Sequence, residues 1–254
     1  MRAIIFNLTA HTLLPLNYAL AKFLSTDIPI FQIIWARHFF TIILILPIIY
    51  IFFKEKFVWT EKPGLQILRG LLLLAVNIFF YYAVSQISLV KALTLAFVSP
   101  LVVTIFSSIL LYERVGIRRW SAVIIGFFGA LVVLRPGYIP LEMGSISALC
   151  AGTTYAFYLI LTRKLSASDN SLLTLLITGI VGTFGMSLTV PFFWVVPTFE
   201  QWFLLSLIGI TTVLGHFLII LSYKLADASK LAPNIYFEVV TNTIFGYYLS
   251  LIHI

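Results

Sequence analysis

Glu238 is the foremost polar candidate that the sequence places deep in an apolar segment, about ten residues from its start. A charge at bilayer depth costs about 2.5–3.5 kcal/mol, which indicates a functional group. At about 100° per residue, Asn234, Glu238 and Thr241 share one helical face. A buried carboxylate there can bind a substrate amine or take up a proton. The alternative is a carboxylate paired with a structural cation.

Arg37 is the second charged candidate, inside another apolar segment and about 12 Å deep at 1.5 Å per residue. A guanidinium can hold a substrate carboxylate through two parallel hydrogen bonds. It can equally extend to the interface or pair inside the protein. His38 follows directly and points about 100° away, so we do not expect both residues to serve one site equally.

The first apolar segment carries Asn7, His11 and Tyr18 on one helical stripe. Pro15 removes the amide that would have bonded to the His11 carbonyl. A freed carbonyl beside an imidazole is typical of a cavity wall, but the same polar stripe also suits a contact between helices. The sequence leaves both interpretations open.

Asn77 and Tyr81 repeat this spacing in the third segment, whereas His216 stands alone in the eighth. Tyr155 and Tyr158 are expected to face different sides of the sixth. For an isolated His or Tyr among apolar residues, packing is the favoured interpretation. The predicted substrate-binding residues are Arg37, Glu238, His11, Asn77, Tyr81 and Asn234.

Enzyme signatures are absent from the sequence. There is no nucleotide-binding glycine loop with a lysine, no His-Glu-x-x-His and no elbow serine. The single cysteine, Cys150, excludes a disulfide framework and a cysteine-rich metal site. We therefore expect no catalysis, metal or cofactor, and any uphill transport must use an ion or exchange gradient.

The composition requires lipid as the main solvent. Of 254 residues, 61% are hydrophobic and 10% charged, against about a quarter charged in soluble domains. A mean hydropathy of +1.08 excludes a water-soluble globule. The net charge of +7 comes from basic residues between apolar runs, where they set membrane orientation, so we expect no nucleic-acid partner.

Nine apolar runs are long enough to predict membrane-spanning helices. They cover residues 4–24, 30–53, 66–88, 91–112, 118–135, 143–162, 171–195, 200–223 and 229–250. The first has no cleavage site and is predicted to remain in the mature protein. With a cytoplasmic N-terminus, twelve Lys and Arg residues, Arg69 among them, lie inside, and Lys22, Lys91 and Arg135 lie outside.

An internal repeat is indicated by two pairs at an offset of 139 residues, Gly70 with Gly209 and Lys91 with Lys230. Five spans precede Pro136, so a second copy must enter the membrane with the opposite orientation. Inverted repeats of this kind are typical of secondary transporters with a site near the bilayer midplane. The predicted units are residues 1–137 and 138–254.

Further motifs are spread over essentially the whole chain. They are the Lys22 end of the first span, Phe31 to Arg37, Leu68-Arg69-Gly70, Ala92 to Pro100 with Ser99-Pro100, Glu113 before Arg118-Arg119-Trp120, Gly126 and Gly129, and Arg135-Pro136-Gly137. In these the sequence resembles the EamA-type transporters of the drug/metabolite transporter superfamily. The likeness is greatest to bacterial metabolite permeases, which include amino-acid exporters and an S-adenosylmethionine carrier.

The resemblance implies an all-α polytopic membrane protein of two inverted five-helix repeats. Because such proteins usually have ten helices and this chain reaches nine, the second repeat of four helices is expected to lack its last, as in a truncated gene or fragment. The implied location is the bacterial inner membrane. The implied partners are a small-molecule solute and the lipid bilayer, and a homodimer is left open.

The predicted function is a secondary permease that moves a small polar or zwitterionic metabolite, such as an amino acid or S-adenosylmethionine, by alternating access. Arg37 and Glu238 would hold opposite charges of the solute. One alternative is proton-coupled efflux of amphipathic cations through Glu238. Another is a non-transporting membrane assembly protein, in which Arg37 and Glu238 would pair in a closed core.

Overall fold

The chain is predominantly helical in the part described by the computed structural model, residues 1–53, 59–134, 142–242 and 244. The helices are α1 (Arg2–Leu24), α2 (Ile30–Phe53), α3 (Pro63–Gln86), α4 (Leu89–Ala96), α5 (Ser99–Leu110), α6 (Ile117–Leu134), α7 (Met143–Ser166), α8 (Ser171–Ser187), α9 (Phe199–Leu225) and α10 (Ala228–Leu231). Two 3-10 segments, Val190–Phe193 and Ala232–Tyr236, interrupt the series, and residues 237–242 are again helical. No strand occurs in these ranges, which confirms the predicted all-α polytopic class.

Six described segments are long and apolar enough to cross a membrane. They are Arg2–Leu24, Ile30–Ile51, Pro63–Gln86, Lys91–Leu110, Met143–Ser166 and Phe199–Leu225. The predicted span at 171–195 is shorter than expected, because α8 ends at Ser187 after 17 residues. The Arg135-Pro136-Gly137 motif, the end of the predicted span at 229–250 and residues 251–254 lie outside the described residues.

The fourth predicted span is broken between α4 and α5. Pro100 has no N–H to donate to the Ala96 carbonyl, and its ring crowds that carbonyl, so the helix is interrupted just before Ser99. The freed carbonyl lies against α7 at Gly152, where a Cβ atom would stand 2.4 Å from the Ala96 oxygen. A glycine at 152 is therefore what lets α7 approach the break in the fourth span.

Gly152→Ala is expected to destabilise the protein, because the atom that its Cβ meets is backbone and cannot rotate away. Overpacking of this kind costs about 2 kcal/mol, or about 5 °C in melting temperature. A thermal melt of the purified protein in detergent measures this loss. Gly129→Ala is the matched control, since nothing lies within 4 Å of its Cβ position. Equal melting temperatures for the two variants would contradict the close approach.

The ninth predicted span is also broken, and this corrects the expected position of Asn234. Pro233 lies in the Ala232–Tyr236 segment, which takes 3-10 geometry instead of continuing the α-helix. Asn234 is consequently not on a regular α-helical face with Glu238 and Thr241. Those two residues lie in the helical stretch 237–242 and both contact α1.

The helices pair in a reciprocal pattern. α3 packs mainly against α7, α1 against α9, and α2 against α8. α3 and α9 end at Gln86 and Leu225, and α4 and α10 begin at Leu89 and Ala228, each pair 139 positions apart. Two repeats would produce this reciprocity, and the division at residue 137 stays a prediction. Large apolar side chains such as Phe128 and Phe184 are exposed on the outer faces, as lipid contact requires.

Candidate functional site

A small cavity lies between α1, α3, α4, α5, α7 and the final described segment. Its polar wall residues are Asn77, Ser99 and Glu238, together with Tyr18 and Tyr155. Asn77 and Tyr155 lie near the middle of two helices of 24 residues each, α3 and α7. The cavity is therefore near the midplane of the helices that form it, where transporter sites are typically found.

Glu238 contributes the carboxylate of this cavity and is 5% exposed. Its Oε1 atom is 2.6 Å from Nδ1 of His11, which reaches it from α1. Thr241 donates a hydrogen bond to the His11 carbonyl at 3.0 Å, so the same turn of helix is fixed to α1 twice. In the described part of the chain, Oε2 of Glu238 has no side-chain partner and Nε2 of His11 has no hydrogen-bond partner.

Asn77 also lines the cavity, and its amide nitrogen is 3.1 Å from Nε2 of His38. His38 thus has a different partner from its neighbour Arg37, as the angle between them predicted. Asn234 does not line the cavity, although its side-chain nitrogen is buried without a partner among the described residues. Of the six predicted residues, Glu238 and Asn77 line this cavity, and His11 contacts Glu238 without lining it.

Arg37 lies in a separate polar contact and is 1% exposed. Its Nη1 atom donates to Asn17 at 3.3 Å and to the Tyr81 hydroxyl at 3.4 Å. Its Nη2 atom is 2.8 Å from Nε2 of His216. Arg37 and Tyr81 do not line the cavity that contains Glu238. No ion pair joins Arg37 to Glu238 in the described ranges, which differs from what the assembly-protein alternative predicts.

Arg69 is completely buried in α3, whereas charge counting placed it at the cytoplasmic surface. Its guanidinium donates to Thr162, Thr178 and the Tyr158 hydroxyl, each at 2.7 Å. The interior partners are hydroxyl groups on α7 and α8, which no helical period within α3 could reveal. Only its position six residues inside an apolar helix that begins at Pro63 was a signal.

Arg37 and Arg69 are connected through two side chains. Nδ1 of His216 is 2.9 Å from the Tyr158 hydroxyl, which also accepts from Arg69. We call Arg37, His216, Tyr158 and Arg69 the central chain; it joins α2, α9, α7 and α3. His216 and Tyr158 therefore connect the two buried arginines through hydrogen bonds, whereas their isolated positions in the sequence indicated only packing.

Two tyrosines correct a sequence-based expectation. Tyr155 and Tyr158 were expected to face different sides of their helix, but their rings are stacked with centroids 5.7 Å apart. That expectation was wrong because residues three apart on an α-helix are neighbours on one face. Tyr155 lines the cavity, and its hydroxyl is buried without a partner in the described part of the chain.

Asn17 is a further residue whose role the sequence did not indicate. Its amide nitrogen donates to the Ile208 carbonyl and to Thr212, at 2.9 and 2.8 Å, while its side-chain oxygen accepts from Arg37. The signal in the sequence that could have identified Asn17 is the free-energy cost of burying a side-chain amide in a membrane helix.

A charged cluster lies on the side of the protein that the charge distribution predicts to be cytoplasmic. Glu113 accepts hydrogen bonds from the backbone N–H groups of Ala228 and Ser229, at 2.8 and 3.0 Å, and lies 3.7 Å from Arg163. Asp227 pairs with Arg163 at 3.4 Å and with Arg119 at 3.1 Å. We call Glu113, Arg119, Arg163, Asp227 and Ser229 the charged cluster. It joins the α5–α6 region to the end of α7 and the start of α10.

Within the described residues, no group of three His, Cys, Asp or Glu side chains is arranged to hold a metal ion. The polar groups of the cavity are instead single hydrogen-bonding or charged groups on an apolar wall, the usual composition of a small-molecule site.

A model of the EamA-like transporter family matches residues 1–135. The chain belongs to this family. An S-adenosylmethionine uptake transporter of Rickettsia bellii is 27% identical over 92% of this chain and 80% of its own length. A riboflavin transporter of Vibrio cholerae is 25% identical over 97% of this chain and 84% of its own. A pseudopaline exporter, CntI, of Pseudomonas aeruginosa is 26% identical over 90% and 81%.

The fold of this EamA-family chain also matches solved structures. One crystal structure of a protein 18% identical in sequence covers 96% of this chain and 88% of its own, with a TM-score of 0.78. That likeness shows the fold alone. The family and the relatives identify a multi-pass bacterial membrane protein of the transporter class, with a small molecule as its solute, and they indicate a transporter rather than an enzyme.

Proposed function

We propose that this EamA-family protein is a secondary carrier that moves a small polar metabolite by alternating access, with the solute held in the cavity at Glu238. The observation that carries the proposal is the Glu238 carboxylate, whose Oε2 atom has no side-chain partner among the described residues, in a cavity near the middle of the helices. A charged group at this depth destabilises the protein, and such groups in membrane helices typically act on a solute or an ion.

The roles of the predicted residues follow from their contacts. Glu238 and Asn77 contact the solute, and His11 orients the carboxylate through its Nδ1 atom. Arg37 and Tyr81 support the cavity from behind, through the central chain and Asn17. Asn234, whose buried side-chain nitrogen has no partner in the ranges that the structure describes, offers a further polar contact where the segment after α10 is broken.

The reciprocal pairing of α1 with α9 and of α3 with α7 supports alternating access. In an inverted repeat, the two halves can exchange conformations, so that a site between them opens first to one side and then to the other. The charged cluster lies at one end of this bundle, and a second cavity beside Lys22 and Ser85 lies at the other. We take the described conformation as one of the two access states.

The test is solute exchange by the purified protein in proteoliposomes. Vesicles are loaded with unlabelled amino acids, S-adenosylmethionine or riboflavin, and entry of the same labelled solute is followed. At least one solute is expected to exchange faster than in protein-free vesicles. Exchange of none of them would contradict the proposal.

A plugged cavity tests whether the solute uses this path. Ala151→Phe fills the cavity from α7, where Ala151 is 1% exposed, and is expected to abolish exchange. Cys150→Phe is the matched control, because Cys150 is adjacent but exposed on the outer surface. Val76→Trp plugs the cavity from α3, in case the first variant does not fold. Full exchange by a folded plugged variant would place the path elsewhere.

A further inference from the structure

The described wall of the cavity carries charge of one sign, which is negative. Among the described wall residues, Glu238 is the acidic group, and there is no lysine, arginine or histidine. Among the described residues, the two buried guanidinium groups are those of Arg37 and Arg69, and both belong to the central chain. The partners of Arg37 are Asn17, Tyr81 and His216. Those of Arg69 are Thr162, Thr178 and Tyr158. A solute in this cavity therefore meets a carboxylate and neutral groups.

The wall also carries four aromatic rings. They belong to Tyr18, Phe80, Phe97 and Tyr155. The rings of Tyr18 and Phe80 lie 4.9 Å apart between centroids, and the ring of Tyr155 is backed by that of Tyr158. Aromatic faces attract cations, most strongly in places removed from water, and several rings around one site are the usual means of binding sulfonium or quaternary ammonium groups.

We infer that the solute carries an organic cation, a sulfonium, quaternary ammonium or N-alkylated ring nitrogen, which binds between the Glu238 carboxylate and the aromatic rings. This inference rests on the proposed function and specifies its substrate class. His11 contacts the Oε1 atom of Glu238, whereas the Oε2 atom has no side-chain partner in the described part of the chain, so the positive charge of the solute binds at Oε2. Asn77 and Ser99 bind the polar remainder of the solute.

The carboxylate and the aromatic rings are expected to bind a cationic solute more tightly than a neutral one of the same shape. A neutral analogue would fill the same space but would place no opposite charge beside the Oε2 atom of the buried carboxylate. Ring contacts alone bind both analogues through their apolar area, whereas the carboxylate and the ring faces act on the charge. Preference for a cation over its neutral isostere is therefore the property to measure.

The test compares three pairs of probes that differ chiefly in one positive charge. They are S-adenosylmethionine with S-adenosylhomocysteine, 1-methylnicotinamide with nicotinamide, and choline with 3,3-dimethylbutanol. Dissociation constants are measured by calorimetry on the purified full chain. At least one cation is expected to bind about tenfold more tightly than its neutral partner. Glu238→Gln is expected to reduce that preference to less than about threefold.

Two matched variants distinguish charge recognition from loss of structure. Glu200→Gln removes a carboxylate outside the cavity and is expected to keep the preference for the cation. Tyr155→Leu removes a ring and is expected to weaken binding of the cation more than binding of its neutral partner. Tyr155→Phe keeps the ring and is expected to keep the preference for the cation. Melting temperatures establish that each variant is folded.

Failure of this inference is distinct from failure of the proposed function. Equal binding of cation and neutral partner, a preference that survives in folded Glu238→Gln, or binding of no cation at all would each overturn the inference. In those cases, exchange of another solute in proteoliposomes, lost on plugging the cavity with Ala151→Phe, would still support a carrier.

Discussion

Glu238→Gln is expected to lower solute exchange in proteoliposomes about a hundredfold while leaving the protein folded. The amide has nearly the same shape, so packing around residue 238 is kept. It cannot carry the negative charge that the His11 contact and the solute require. Hydrogen bonds to a charged group contribute about 1.5–3 kcal/mol, and the upper end of this range corresponds to a factor of about a hundred.

The measurement is the initial rate of exchange with the solute that the wild-type protein accepts best. Glu200→Gln is the control, since Glu200 lies in the exposed first turn of α9, away from the cavity. Glu238→Asp keeps the charge but shortens the side chain, and we expect it to retain part of the rate. Exchange by Glu238→Gln at the wild-type rate would exclude this carboxylate from the transport path.

Glu113→Ala is expected to open the side of the protein closed by the charged cluster. The substitution leaves the N–H groups of Ala228 and Ser229 without their acceptor and removes the carboxylate from Arg163. A loss of about 2 kcal/mol corresponds to about a thirtyfold increase in the open population. Because Glu113 is 7% exposed at its side chain, solvent screens these contacts only partly.

Thiol labelling measures the opening directly. Ala232→Cys, at a fully buried position next to α10, is introduced in a Cys150→Ala background. A membrane-impermeant maleimide is then applied to inside-out vesicles. Labelling is expected to accelerate about thirtyfold on Glu113→Ala and to stay unchanged on Glu61→Ala, an exposed residue near the start of α3. An unchanged rate for Glu113→Ala would show that the charged cluster does not hold this side closed.

Much of the fold was predictable because it depends on composition and segment length. Apolar runs of about 20 residues require helices in lipid, whatever their neighbours. Pro100 and Pro233 mark the interruptions, but a hydropathy pattern does not show them, since the broken segments remain apolar. For that reason the hydropathy pattern predicts continuous helices for the fourth and ninth spans.

The candidate site was predictable in part. The sequence indicates Glu238, His11 and Asn77 as polar groups in apolar helices, and the structure places Glu238 and Asn77 in one cavity wall with His11 in contact with Glu238. Their role in binding a solute stays a prediction. Arg69 could not be found by counting charges, because its partners Thr162 and Thr178 are about a hundred positions away in the chain. Contacts at such separations depend on tertiary packing, which a single helical period does not encode.

The central chain connects helices that are far apart in the sequence. Hydrogen bonds between buried side chains tie α2, α3, α7 and α9 to one another, and Asn17 adds α1. Moving any one of these helices alone would break buried hydrogen bonds. The two proline-broken segments, α4 with α5 and α10 with residues 232–242, do not contribute to the central chain. Glu238 lies in one of these segments and Phe97 at the break of the other, so in the proposed cycle bending at either break would move a residue of the proposed solute site.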